Sequence, residues 1–202
     1  MPVTLDTTIA LIDEFEYLTY IGANESEFQI TSERTLSFIN WASSEIKKFC
    51  DNRIFITPTA QIEEIFSGDA TNEYWTKEGR IADSPVSGII IEEWDGNSWT
   101  VRTYDKEVDA ERGIIWFNTG YDFIKGHRNW KLKYKPGWAI TAVPQDLKGV
   151  CCSVVKRLKM LADGKEGLST ESFADSNTTY NLQNLIGASQ LDTLNRYKRS
   201  FI

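Results

Sequence analysis

The sequence predicts an α+β protein: mainly a helical bundle, with an inserted antiparallel β-rich meander and an extended C-terminal arm ending in a helix. Three observations lead there. Two amphipathic stretches of matching length, around 36–50 and 147–161, flank a series of short segments rich in Ile, Val, Trp, Tyr and Phe. A polar stretch poor in apolar anchors then follows residue 164. The chain has 202 residues, enough to bury a proper core, and its length favours one domain. Within that domain the pattern assigns a helical core to 13–52 and 143–164, a β-rich insertion to 59–136, and an arm and helix to 165–202.

Asp13 and Glu16 make a capping-box pattern ahead of a short helix through Phe15, Leu18 and Tyr20, ended by Gly22. A longer helix begins between Ser26 and Ser32. Leu36, Ile39, Ala42, Ile46, Phe49 and Cys50 give it an apolar stripe, and it ends near Asp51-Asn52. Phe38 and Trp41 lie off that stripe and mark a second contact surface, either under the β region or against another chain.

Past Thr57-Pro58 the pattern turns to β. Strands are expected at 61–66, 73–76, 88–94, 98–104, 113–117 and 129–134, separated by turn residues. Asp95-Gly96-Asn97 supplies a hairpin turn, since Gly adopts positive φ without steric cost. Six of the seven tryptophans, Trp75, Trp94, Trp99, Trp116, Trp130 and Trp138, lie in or beside this region. They either fill the core of a small sheet or, exposed, bind sugar or a partner.

The organising helix spans 143–164, with Leu147, Val150, Cys151, Val154, Leu158 and Leu161 at helical spacing. Pro144 suits the first turn, Asp146 complements the positive end of the dipole, and Gly164 follows Lys156, Arg157 and Lys159 as a stop. Gly149, Ser153 and Met160 fall on the opposite face. Glycine inside a helix costs about 1 kcal/mol relative to Ala, so this face either admits the close approach of another backbone or is simply solvated. After the arm, Ser189 caps a final helix carrying Leu191, Leu194, Tyr197 and Phe201.

Charge and motif content exclude several functions. The net charge is −7, and from Met1 to Arg34 seven acids face one base, which argues against a protein that grips nucleic-acid phosphates. Arg196, Lys198 and Arg199 make the C-terminus basic; the opposed ends either pair between copies or are solvated faces. Cys50, Cys151 and Cys152 have no metal spacing and are expected as free thiols. No signal-peptide pattern or membrane-length apolar run is seen, so folding in the cytoplasm is expected. His127, the one histidine, stands in a predicted loop between Gly126 and Arg128 with no acid to orient it. Phosphate-cradling and nucleophile-elbow motifs are missing. Neighbouring acids such as Glu63-Glu64 and Glu92-Glu93 point to opposite faces of a strand. No catalytic, cofactor or metal residue is therefore assigned, and the expectation is a protein that is not an enzyme.

The order of pieces resembles the head-tail connector, or adaptor, family of tailed bacteriophages and prophages. The pieces are a short helix, a long helix ending in Asn52-Arg53-Ile54-Phe55, a β insertion holding Pro85-Val86, then Tyr134-Lys135-Pro136-Gly137-Trp138, and Val143-Pro144 with Asp146-Leu147 opening a helix. Gly167-Leu168-Ser169, Glu171-Ser172-Phe173, Asp175-Ser176, Tyr180, Leu194 and Tyr197-Lys198-Arg199 are similar to that family's arm and tail. Ala174 departs from it, standing where the family often has Gly.

The resemblance implies a structural virion protein at the head-tail interface, assembled in the bacterial host cytoplasm. It implies a ring, commonly of twelve copies, that binds the portal, extends the DNA channel without specific DNA binding, and docks a head-completion (stopper) or tail protein. Carried onto this sequence, Ser169, Glu171, Phe173, Asp175, Tyr180, Tyr197 and Arg199 become contact residues to the portal or a neighbouring subunit. Gly149, Ser153, Met160, Phe38 and Trp41 become a candidate helix face between subunits. The alternative from another class is a Trp-rich carbohydrate- or ligand-binding module.

Overall fold

A computed structural model describes residues 3–22, 33–82, 88–118, 120–162 and 182–198. These form two compact units, one from Met1–Arg53 with Ala142–Lys198 and one built on Ile54–Thr141. The first is helical. α1 (Glu14–Ile21) has the expected capping box: Asp13 accepts from the Glu16 N–H, Glu16 from the Asp13 N–H, and Gly22 closes the helix at φ 68°. It buries Tyr17 and Leu18 together with the preceding Ala10, Leu11 and Ile12, whereas Phe15 and Tyr20 are exposed. The expected face is thus turned by about one residue.

α2 (Glu33–Phe49) and α3 (Gln145–Ala162) pack along their length. The buried line of α2 is Thr35, Phe38, Ile39, Ala42, Ser43 and Ile46, so Phe38 belongs to the core of its own unit, while Leu36 and Phe49 are only partly covered. Small residues allow close approach here. Ser43 Oγ accepts the Leu11 N–H at 3.1 Å and lies 3.6 Å from Cys151 Sγ, which satisfies a hydroxyl that an apolar stripe could not accommodate. On α3 the stripe is buried through Leu158, and Lys148, Cys152 and Val155 are buried as well, because α1 covers a second side.

Of the C-terminal arm and helix expected at 165–202, residues 182–198 are described, and they lie against the helical unit. α4 (Leu182–Leu185) and α5 (Ala188–Asn195) pack on the helical unit, burying Leu182, Leu185, Ile186 and Leu194. Cys50 Sγ donates to the Leu194 carbonyl at 3.6 Å, and Arg196 bridges to Asp146 at 3.2 Å. Gly187, not Ser189, precedes the helix, and its N–H is capped by the Gln190 side chain at 2.9 Å. Glycine leaves that N–H accessible where a Ser side chain is not needed.

The second unit holds two antiparallel sheets. One, in the order β1 (Ile62–Gly68), β7 (Gly126–Tyr134), β3 (Ile90–Trp94), β4 (Trp99–Val101), faces another, in the order β2 (Glu73–Trp75), β6 (Ile114–Phe117), β5 (Lys106–Asp109). The layers share a core of Phe66, Ile91, Trp130, Leu132 and Tyr134 with Ile115, Phe117 and Phe123. Consecutive strands are therefore mostly not partners, and the fold is mixed α+β, with 36% of the described residues helical, which corrects the expectation of mainly a helical bundle carrying a meander. His127 lies in β7, exposed, and not in a loop. Next to a register shift in β1, Gly68 backs directly onto Ile124: a Cβ there would sit 2.0 Å from the Ile124 carbonyl oxygen.

Within the second core Glu64 is buried, and its carboxylate accepts hydrogen bonds from the hydroxyls of Tyr74 and of Tyr134, the latter at 2.9 Å, and from the Lys77 N–H at 3.1 Å. Burial first, and the Glu64 charge next, push both phenols well above their ordinary range. On the outer face of the first sheet Glu92 pairs with Lys133 at 2.8 Å and lies 3.2 Å from Lys131, and Lys133 reaches Glu63 at 3.6 Å. The hydrogen bond from Lys133 outweighs the opposing burial and holds the Glu92 carboxyl below the usual range.

Candidate functional interface

A groove of about 440 Å³ runs between α1 and α3 on the helical unit. Its walls are Phe15, Thr19 and Tyr20 from α1, and its floor is Gln145, Lys148, Gly149 and Cys152 from α3. The i, i+3, i+4, i+7 spacing on α3 keeps these four on one face. Phe15 is 66% exposed and Tyr20 48%, an unusual pair of aromatic rings on an eight-residue helix.

Polar groups fix the walls. Glu16 caps its own helix and also bonds the nearly buried Lys148 ammonium, tying α1 to α3. Ser153 Oγ donates to the Gly149 carbonyl at 2.9 Å and lies 2.9 Å from the Tyr20 hydroxyl. Ser153 has a single hydroxyl hydrogen, so Tyr20 is the donor in the second bond. Nothing lies within 4 Å of where a Cβ on Gly149 would stand. The glycine is therefore not required by packing among the described residues.

Charge is distributed unevenly around the groove. Asp13, Glu14 and Glu16 make the α1 edge acidic, while Lys156 and Arg157 are exposed farther along α3. Burial, reinforced by the Asp13 charge, raises the Glu14 carboxyl above its ordinary value, and its Oε1 is buried with no hydrogen-bond partner among the described residues.

The residues expected at an interface divide into three groups. Gly149, Ser153 and Met160 are partly exposed on the back face of α3, and the structure brings Gly149 and Ser153 to the groove. Phe38 is buried, Trp41 is partly covered, and Tyr197 donates its hydroxyl to Asp146 at 2.6 Å. Ser169, Glu171, Phe173, Asp175, Tyr180 and Arg199 lie outside the described residues. Phe15 and Tyr20 were not singled out as surface residues. Their spacing from Tyr17 and Leu18 around an eight-residue helix was the available signal, and it becomes decisive only once Ala10–Ile12 are seen to extend the buried side.

All three cysteines are free and buried, with the thiols of Cys50 and Cys151 pushed by burial up to about 12 and that of Cys152 to about 11. Among the described residues there is no metal-holding cluster of His, Cys, Asp and Glu, and no helix long and apolar enough to cross a membrane.

The same fold occurs in solved structures. A chain in the neck of an empty gene transfer agent (GTA) particle, computed with C6 symmetry, matches with TM-score 0.53 at 11% identity, over 98% of this chain and 94% of that one. The fold is similar to that of a phage-like particle's neck. A chain in the neck of the native particle, computed with C12 symmetry, matches with TM-score 0.50 at 11% identity, over 98% and 93%. A chain of the native GTA virion matches with TM-score 0.51 at 10% identity, over 98% and 94%. No family model matches the chain, and no curated protein does. At the level of fold, the neck likeness agrees with the resemblance to phage head-tail connectors drawn from the motifs.

Proposed function

We propose that this chain is a structural, non-enzymatic head-tail connector of a phage or phage-like particle, forming a ring at the portal. The observation that carries the reading is the fold likeness to neck chains over 98% of the sequence. In this account the ring extends the DNA channel, and the acidic chain lowers the residence of DNA on its wall. A stopper or tail protein docks on the ring's far side.

Copies meet head to tail through the α1–α3 groove. A ring needs a heterologous contact, in which one surface of a copy meets a different surface of the next. The acidic α1 edge, where Asp13 is exposed, complements the exposed Lys156 and Arg157 of a neighbour. The open position at Gly149 lets the neighbour's backbone approach.

Mixing the purified chain with the portal encoded beside it, and imaging by electron microscopy, tests the function. A ring-shaped complex with the chain on one portal face is expected. A monodisperse monomer that never binds portal, even at high concentration, would overturn it.

A further inference from the structure

On the second unit, the face of the β2–β6–β5 sheet turned away from the core carries an arrangement that the connector reading does not use. Strand alternation sends Tyr74, Ile115 and Phe117 inward and leaves Glu73, Trp75, Ile114, Trp116 and Glu107 on the outer face, where Ile114 is buried and the open part is the Glu73, Trp75, Trp116 and Glu107 end. Glu73 sits directly opposite Trp116, which in turn sits opposite Glu107 on the far strand. One carboxylate oxygen of Glu73 accepts the Trp75 indole N–H and the other accepts the Trp116 indole N–H at 3.1 Å. Two rings are thereby held by one acid, and Trp75 remains 47% exposed.

From this geometry we infer that the face is a docking surface for an arginine- or lysine-bearing segment of a partner protein. Charge and hydrogen-bond supply point to that occupant. The indole faces are electronegative and attract a guanidinium or ammonium. Glu107 is exposed, and each Glu73 oxygen keeps lone-pair capacity after accepting one indole N–H. Both indole donors are already engaged by Glu73, so the face offers acceptors and π-faces to a ligand. A sugar needs donors and acceptors together and fits less well; a cation supplies only donors. Asp109, at the strand end, is partly neutralised by Arg112 at 3.8 Å, which leaves Glu73 and Glu107 as the recognising acids.

The test is titration of the full chain with an acetylated, amidated Gly-Arg-Gly-Arg-Gly peptide, following indole N–H resonances by nuclear magnetic resonance. The expected result is saturable movement of the Trp75 and Trp116 signals that weakens with added salt. Trp75→Ala, at an exposed position, should weaken binding roughly 2- to 5-fold, and Glu107→Gln should reduce the salt dependence while leaving the spectrum of the free protein intact. No saturable movement, equal movement with an uncharged Gly-Ser peptide, or saturable binding of an oligosaccharide series in place of the peptide would each overturn the inference.

Discussion

Gly149 separates the stability of the chain from its assembly. Replacing it by Ala adds a methyl group into open space, since nothing lies within 4 Å of the added Cβ. Helix propensity alone then favours Ala by about 0.8–1 kcal/mol. For a chain of this length that corresponds to a rise of roughly 2–4 °C in Tm. Gly149→Leu keeps good helix propensity but extends a branched side chain into the groove between Phe15 and Tyr20. The isolated chain should therefore be at least as stable as the natural one in both variants, by differential scanning fluorimetry. Ring formation should weaken with Ala and fail with Leu, by analytical ultracentrifugation in the presence of portal. A lowered Tm for Gly149→Ala would refute the open-space reasoning. A Leu variant that assembles as the natural chain does would refute the use of the groove.

Three further outcomes follow from the packing. Leu194→Ala should cost about 2–5 kcal/mol in chemical denaturation, because Leu194 is the fully buried residue by which α5 packs on the helical unit; a loss below about 1 kcal/mol would mean that the last helix is dispensable. Glu64→Ala leaves two tyrosine hydroxyls without their acceptor and should cost roughly 2–6 kcal/mol, with Glu64→Gln costing less, both read from denaturant midpoints. The Glu92 carboxyl is held below its ordinary value of 4.5, so it contributes stability above the unfolded value that is lost as pH falls through the folded one. The stability gap between the natural chain and Glu92→Gln should accordingly be full at pH 7 and shrink below about pH 4.5; a gap that grows with acidity would reverse the sign assigned to the Lys133 contact.

Much of the helical unit was legible because its signals are local. The capping box of Asp13 and Glu16, the Gly22 stop and the stripe from Leu147 to Leu158 each operate within one or two turns. The Asp95-Gly96-Asn97 hairpin was legible for the same reason: Asp95 accepts from the Asn97 and Ser98 N–H groups, both at 2.8 Å. Sheet order was not, because β1 pairs with β7 across more than fifty residues and no short-range pattern encodes which strand completes a sheet. β5 was missed because Lys106-Glu107-Val108-Asp109 has little β-propensity and is held by its ladder to β6.

The interface was half legible. An interior glycine drew notice to the back face of α3, but its groove depends on α1 being turned so that Phe15 and Tyr20 face outward. The stretch ahead of the final helix reads as an arm because it contains few apolar residues. Leu182, Leu185, Ile186 and Leu194 are few, yet all four are buried, and burial per residue cannot be counted from composition.

The central claim, that copies of this chain join in a ring through the α1–α3 groove, is tested most directly by a photo-crosslinking residue placed at Phe15. Phe15 is exposed, so the replacement leaves the core unchanged. In assembled neck complexes the account predicts a crosslink between two copies of this chain, mapped by mass spectrometry to the region around Lys156 and Arg157. A crosslink to the portal or to a tail protein, with none between copies, would contradict it.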